Sequence, residues 1–407
     1  MVNIKAKFNI NIYFLNNILG LFLLFFGVFD TARNYTKLPI EFGYLKDISV
    51  YLLVLINIRH LKVHSIWLVG VLIIMLLVSP FGLFYNDMYI SDFIVYYLKF
   101  LEIPLMLLIF YNFNKIFSYK IKFYFKAYIV LAVLLSLINV FGYFVPNPIV
   151  SVNLANENMD PTLYKGRITV GQPAIAIFPV IFAYCYFLIN SNKVKNLIIS
   201  FVLFVLIFLS TSNTGIIAAI LCSLIIFCLS KAKVKLNLLF LAIIVLLVFS
   251  LSYKTINQII DISMYTDKII SIINGGSDSS MNLRFNHWQE GFKNTDNMLK
   301  MLFGNGIFGY IRNNQKIDIE NTYVSTILCY GIIGFLMLVF GLILYSISII
   351  NVRKYNKKIM IFSLCTLVIF FLHFLTLDIY FCYTLYFPLG MFVFMIKDTR
   401  HNFYVRC

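Results

Sequence analysis

The chain has 407 residues, of which 61% are hydrophobic and only 12% are charged. Soluble domains are about 45–50% apolar and about 25% charged, so this composition excludes a soluble enzyme, a disordered chain and a small disulfide-bonded scaffold. The formal net charge of +16 would suit a nucleic-acid-binding protein, but the basic residues lie in short runs between apolar segments. We therefore expect a membrane protein that is embedded in the lipid bilayer and does not bind nucleic acid.

Twelve apolar segments have lengths close to the roughly 20 residues that a bilayer span needs. A helix makes its backbone hydrogen bonds internally, as lipid requires. The twelve segments therefore predict an all-α polytopic membrane protein with a single integral membrane domain over residues 1–407. With both termini cytoplasmic, the basic runs fall in alternate loops, as the positive-inside rule requires. The predicted spans are 10–29, 42–58, 65–84, 93–113, 127–145, 171–190, 196–211, 214–230, 236–252, 321–350, 359–377 and 379–396.

Two of the predicted outward, periplasmic loops are long. One covers residues 146–170, and the larger covers residues 253–320 between the ninth and tenth spans. Long ordered loops often carry function. Within the larger loop, aromatic residues recur among polar ones from about Met281 to Phe303, which predicts an amphipathic helix at the outer membrane surface.

Four cationic residues in these loops are candidates for binding a lipid diphosphate: Lys165, Arg167, Arg284 and Arg312. Arginine contacts phosphate oxygens with two hydrogen bonds in a fixed geometry. Ordinary surface charge is the alternative interpretation of each.

The second candidate feature is Asp318-Ile319-Glu320-Asn321 at the mouth of the tenth span. A carboxylate at this position suits a general base, but helix capping or a divalent-metal pair explains the same residues. Elsewhere, no His-rich or Cys-rich metal spacing occurs, so no metal site is predicted. Gly304–Gly309 fits the GxGxxG string, yet it follows a predicted helix rather than a strand, so we interpret it as a tight turn with positive φ.

Five motifs follow one another along the chain: Arg167–Gly171, Leu209–Ile220, Arg284–Gly291, Gly304–Tyr310 and Glu320–Gly334. In this order they resemble the superfamily of Wzy-type O-antigen polymerases and O-antigen ligases. Two positions depart from the family pattern: Asn213 stands where the turn between two spans usually has arginine, and Glu320 stands where the ligases have the histidine assigned as general base. The second departure favours a polymerase.

The resemblance implies a metal-independent, inverting glycosyltransferase without cofactors, on a GT-C-like helical scaffold in the bacterial inner (cytoplasmic) membrane. It would transfer a growing glycan from undecaprenyl diphosphate to a repeat unit on the same carrier, in biosynthesis of lipopolysaccharide O-antigen or of a capsule or exopolysaccharide. Arg167 and Arg284, with Arg312 third, would hold the leaving diphosphate, and Glu320 would be the general base. A chain-length regulator protein is a further partner that the resemblance allows.

Three more residues, Asn321, Trp288 and Tyr323, complete the predicted substrate site together with Lys165. The two aromatic side chains are candidates for stacking on sugars, although packing explains them equally well. Two other functions stay open, an O-antigen ligase and a flippase for the lipid-linked unit. Flippases usually show repeat symmetry and more charge inside the spans, which this chain lacks.

Overall fold

In the computed structural model of the chain the described residues are almost entirely helical, as the backbone of an apolar membrane protein requires. The structure describes residues 2–35, 41–62, 66–80, 90–144, 173–210, 212–259, 279–293, 295–306, 311–312, 315–316, 319–377 and 383–404.

Each predicted span corresponds to one helix, and the predicted all-α polytopic class is confirmed. The span helices are α1 (Val2–Tyr35), α2 (Glu41–Asn57), α3 (Ile66–Val78), α4 (Ile90–Tyr111), α6 (Ile121–Phe144), α7 (Pro173–Ile189), α8 (Val194–Leu209), α9 (Asn213–Leu229), α10 (Ala232–Ile259), α13 (Thr322–Val352), α14 (Lys357–Phe374) and α15 (Tyr383–Tyr404). A single helical turn, α5 (Phe113–Ile116), follows α4.

Within the described residues, five helices are long and apolar enough to cross a membrane, judged by length and composition. Four further apolar helices are shorter, so the number of spans and their topology stay predictions. The five long stretches are Ile12–Phe29, Phe93–Tyr111, Ile121–Ile138, Thr322–Val352 and Lys357–Phe374, and the shorter ones are Ala174–Ile189, Val194–Leu209, Asn213–Leu229 and Phe387–Ile396.

Aromatic side chains fill the core where α6, α7, α14 and α15 meet. The ring of Phe392 lies 4.8 Å from that of Phe182 and 5.4 Å from that of Phe362, measured between centroids. Phe178 and Phe370 continue this cluster at 5.4 Å. Edge-to-face pairs of this kind add about 0.5–1.5 kcal/mol beyond the area they bury. The four helices therefore form one continuous packed unit.

Three of the predicted cytoplasmic loops lie together at one end of the bundle. The Lys358 ammonium, at the start of α14, donates to Asn190 Oδ1 at the end of α7 over 2.9 Å. Asn237, near the start of α10, donates to the carbonyl of Ser191 over 2.8 Å. These loops carry basic residues, so the arrangement agrees with the charge asymmetry from which their side was predicted.

The larger predicted loop contains regular structure. The helix α10 continues to Ile259, beyond the predicted loop start at residue 253, and α11 (Ser279–Phe292) and α12 (Met298–Phe303) follow. The prediction of one continuous helix over 281–303 is wrong, because the side chain of Asn297 accepts a hydrogen bond from Lys300 N (2.8 Å) and starts a new helix. Further along this loop two strands of two residues each, β1 (Ile311–Arg312) and β2 (Gln315–Lys316), pair as an antiparallel hairpin.

Candidate functional site

The predicted outer ends of three helices meet through side-chain hydrogen bonds. Thr322 Oγ1, at the start of α13, donates to the carbonyl of Leu377, just after α14, over 2.7 Å. In the same turn Thr376 accepts a hydrogen bond from Thr214, at the start of α9, over 3.2 Å. The turn after α14 therefore connects α9 and α13 at the end of the bundle opposite the basic loops.

The central pair of the candidate site is Arg284 on α11 and Glu320 just before α13. Arg284 donates from Nε and Nη2 to Glu320 Oε2, over 3.1 and 3.0 Å. The side chains of Arg284 and Glu320 are 30% and 31% exposed to solvent, respectively. A partly exposed cation and carboxylate thus meet at the predicted outer face.

One face of α11 carries contacts that help to place this pair. Arg284, Trp288 and Gly291 are spaced by four and three residues, so they lie on the same side of the helix. The indole Nε1 of Trp288 donates to the carbonyl of Ile319 over 2.8 Å. A Cβ at Gly291 would approach Leu328 Cδ1 to 2.7 Å, so the glycine allows α11 to lie close against α13. The helix is therefore fixed to the segment that carries Glu320.

The backbone of Glu320 is held in an unusual conformation. Its φ is +43°, and among the described residues it is the one position other than glycine with a positive φ. Such a conformation costs on the order of 1–3 kcal/mol and persists only where the surroundings enforce it. Here the neighbours on both sides are fixed, since Ile319 is buried with its carbonyl bonded to Trp288 and Asn321 is bonded to α13.

Asn321, and not Glu320, caps α13. The Asn321 side-chain oxygen accepts from the backbone N–H groups of Tyr323 (2.9 Å) and Val324 (3.0 Å), and its Nδ2 donates to the carbonyl of Leu375 (3.1 Å). This answers the capping alternative that the sequence left open for Glu320, whose carboxylate pairs with Arg284 instead. Both polar atoms of the Asn321 amide make structural bonds, so its predicted contact with substrate stays a prediction.

The span α13 is broken at Gly331, where φ is +66° and ψ is −166°. The break leaves carbonyls of the preceding turn without helical partners, and two of them are bonded from outside the helix. Asn305 N donates to Leu328 O (2.8 Å) and Gly306 N donates to Cys329 O (2.9 Å). The turn after α12 is therefore docked into the break in α13.

Two glycines make this docking sterically possible. A Cβ at Gly304 would lie 2.3 Å from the carbonyl carbon of Cys329, and a Cβ at Gly331 would lie 2.2 Å from the carbonyl oxygen of Leu302. Gly304 and Gly306 have φ values of +80° and +76°. The interpretation of the GxGxxG string as a tight turn with positive φ is thus confirmed for its first two glycines.

The other predicted site residues have mixed outcomes. Tyr323 packs among aromatic rings, with centroid distances of 5.9 Å to Phe371 and 6.1 Å to Phe374, so packing accounts for it and sugar stacking stays a prediction. Arg312 pairs with Gln315 through the backbone of the β1–β2 hairpin. Lys165 and Arg167, with the whole of the predicted loop 146–170, lie outside the described residues.

A second ion pair joins Lys300 on α12 to Asp296 in the segment that precedes this helix. Lys300 Nζ lies 2.7 Å from Asp296 Oδ1, and this hydrogen bond holds the pKa of the exposed Asp296 carboxyl below its ordinary value. Because the two residues lie one turn apart on an exposed surface, water screens this pair and its contribution to stability is small. It stabilises the start of α12 and does not extend the site.

Sequence inspection alone did not identify the roles of Gly331 and Thr376. Gly331 stands within an unbroken apolar run, and nothing in that run distinguishes a kink from a straight helix. Thr376 is one of many threonines, and its contact with Thr214 depends on the packing of α9 against α14.

A comparison with known families gives a match to the central and C-terminal part of the chain. Residues 198–339 match the family described as O-antigen ligase, a stretch that includes Arg284, Glu320 and the turn docked into α13. A search of curated proteins finds no match. Members of the matched family are membrane enzymes that transfer glycosyl groups. The match is a similarity to the O-antigen polymerase and ligase superfamily over this part of the chain, and it does not separate polymerases from ligases.

Proposed function

We propose that the chain is an O-antigen polymerase of the bacterial inner membrane. It would transfer a growing glycan from undecaprenyl diphosphate to a repeat unit on a second undecaprenyl diphosphate, at the periplasmic face. The observation that carries this proposal is the Arg284–Glu320 pair, a cation and a carboxylate in contact at a backbone position under strain. Functional sites are where such strain is usually retained.

The two side chains supply the two groups that glycosyl transfer needs. The acceptor hydroxyl loses its proton to the Glu320 carboxylate while its oxygen attacks the anomeric carbon of the donor sugar. The bond from that carbon to the diphosphate oxygen breaks, and the diphosphate leaves with both electrons. Arg284 stabilises the charge that develops on the leaving group, an effect typically worth on the order of 3 kcal/mol, and a positioned base adds about 10²–10⁴-fold.

The contact between Arg284 and Glu320 also provides a way to couple substrate binding to base activation. Both bonds from the guanidinium end on a single carboxylate oxygen, and both side chains are partly exposed. A lipid diphosphate entering the site would compete for the guanidinium, because it carries more negative charge and more acceptor oxygens than a carboxylate. Glu320 would then be released as a base only when the donor is bound.

The proposal includes three more cationic residues whose side chains the structure does not describe. Arg167, Lys165 and Arg312 stay candidates for the second phosphate, and metal independence and inversion at the anomeric carbon follow from the resemblance alone. The partners would be the undecaprenyl-diphosphate-linked glycans and a chain-length regulator protein.

An O-antigen ligase is the second candidate function, because the matched family carries that description. The polymerase is preferred since the ligases have histidine at the position of Glu320. Deletion of the gene in the bacterium that encodes it separates the two functions through the surface glycan seen on a gel. Loss of the polymerase leaves one repeat unit on the lipid anchor, and the plasmid-borne gene restores the ladder.

Two other results of the deletion would contradict the proposal. Long glycans that stay on undecaprenyl diphosphate while the anchor remains uncapped would identify a ligase. Loss of all capped anchor, with single lipid-linked units accumulating at the cytoplasmic face, would identify a flippase.

A further inference from the structure

Three cysteine side chains from three helices meet inside the bundle, away from the Arg284–Glu320 pair. Cys185 lies on α7, Cys222 on α9 and Cys365 on α14, and none has exposed surface. Their sulfur atoms all lie within 4.8 Å of one another. Because the three cysteines are far apart in the sequence, their spacing gave no indication of a site.

Each of the three helices that carry these cysteines packs against the other two. Cys222 Sγ approaches the carbonyl of Cys365 to 3.7 Å, and Cys365 Sγ approaches the carbonyl of Cys222 to 3.8 Å. Next to them, the Tyr184 and Ser223 hydroxyl groups are hydrogen-bonded over 2.6 Å, which fixes α7 against α9 at the same level. The three thiol groups are thus held in place by their helices.

We propose that this cluster binds one Cu(I) ion. Cysteine sulfur is the ligand type that soft Cu(I) prefers. Three sulfurs placed trigonally around an ion at about 2.3 Å would lie about 4 Å apart, so the cluster has to contract by less than about 1 Å. The ion comes from outside the protein, its binding displaces the proton of each coordinating thiol, and no oxidation state changes.

Coordination number and ligand type favour Cu(I) over Zn(II) at this position. Cu(I) prefers soft sulfur ligands and accepts a trigonal set of three. Zn(II) needs a fourth ligand for its tetrahedral geometry. Within the described residues the cluster supplies three donors.

The competing explanation is packing, since buried cysteine often behaves as a small apolar residue. Two variants of the full-length protein in detergent separate these explanations. The first, called the cluster-only variant, has serine at the other four cysteines, Cys228, Cys329, Cys382 and Cys407. The second, called the cluster-free variant, has the changes Cys185→Ser, Cys222→Ser and Cys365→Ser.

The measurement is competition for Cu(I) against the chromogenic chelator bicinchoninate, without oxygen and with a reductant present. We expect the wild-type and cluster-only proteins to withdraw one Cu(I) per chain and the cluster-free protein to withdraw none. A tenfold excess of Zn(II) should leave the bound Cu(I) in place. No withdrawal by the cluster-only protein, or equal withdrawal by the cluster-free protein, would overturn the proposal.

A second measurement does not depend on the folding of the cluster-free variant. X-ray absorption of the copper-loaded cluster-only protein should show three sulfur neighbours at about 2.3 Å, and its Tm should rise with added Cu(I) because the ion binds the folded state. A copper shell of nitrogen or oxygen atoms, or a Tm that copper leaves unchanged, would show that the cysteines serve packing alone.

Discussion

The guanidinium of Arg284 places two N–H groups on one carboxylate oxygen of Glu320, although the residues are 36 positions apart and belong to different elements. A partly exposed ion pair of this kind contributes only about 0–1 kcal/mol to stability. That is less than the 1–3 kcal/mol that a positive φ at a non-glycine residue costs. The ion pair alone therefore does not explain why the chain holds Glu320 in this position, and the proposed role as general base supplies a reason.

The first prediction concerns Arg284. We expect Arg284→Ala to slow chain elongation by a hundredfold or more, while the Tm of the purified protein changes little because the side chain is partly exposed. Elongation of a lipid-linked repeat unit by the purified enzyme measures the rate. Lys293→Ala removes an exposed cation just after α11 and is the matched control. An elongation rate for Arg284→Ala equal to that of this control would exclude Arg284 as a diphosphate ligand.

Trp288 allows positioning to be distinguished from sugar stacking. In Trp288→Phe the aromatic face is kept but the hydrogen bond to the Ile319 carbonyl is lost, a bond worth about 0.5–1.5 kcal/mol. If the indole N–H fixes the segment that carries Glu320, we expect kcat to fall up to about tenfold with KM nearly unchanged. An unaltered kcat in Trp288→Phe, together with a raised KM in Trp288→Ala, would assign the ring to substrate binding instead.

The docking of the turn after α12 into α13 predicts a large loss of stability for Gly331→Ala. Alanine there would be strained by a positive φ and would overlap the Leu302 backbone, so we expect a cost of at least about 2 kcal/mol. Thermal unfolding in detergent measures it. Gly70→Ala is the control, because its new methyl group meets only the flexible end of Met337. Similar Tm values for the two variants would show that the docking is not required for the fold.

Asn321 tests a residue that was predicted to bind substrate but makes structural bonds. Asn321→Ala should lower stability by about 1 kcal/mol through loss of the helix cap, whereas serine can still cap α13. We expect Asn321→Ser to elongate glycans within a few-fold of the wild-type rate. A full loss of elongation in Asn321→Ser, with a Tm close to wild type, would restore the substrate-binding role.

Much of the fold was predictable because lipid imposes simple demands on sequence. Apolar segments of about 20 residues must be helices, and each predicted span is a helix in the structure. The break at Gly331 was not predictable, since it depends on backbone donors from residues 305 and 306 that lie far away in the sequence.

The candidate site was predictable in its members but not in its arrangement. Sequence motifs indicated Arg284, Trp288 and Glu320, yet only the packing of α11 against α13 brings Arg284 onto Glu320 and leaves the cap to Asn321. The polar run Asn294–Asn297 indicates the end of α11. The amphipathic periodicity on both sides of this run nevertheless favoured one continuous helix. The three buried cysteines could not be grouped from spacing, because each belongs to a different helix.

The most direct test of the central claim is the elongation rate of purified Glu320→Gln, compared with Glu290→Gln, which changes an exposed acid on α11. Glutamine preserves the size of Glu320 but cannot take a proton, so we predict a loss of at least a hundredfold, with wild-type Tm and donor binding, while Glu290→Gln stays fully active. Elongation by Glu320→Gln at the rate of Glu290→Gln would contradict the account.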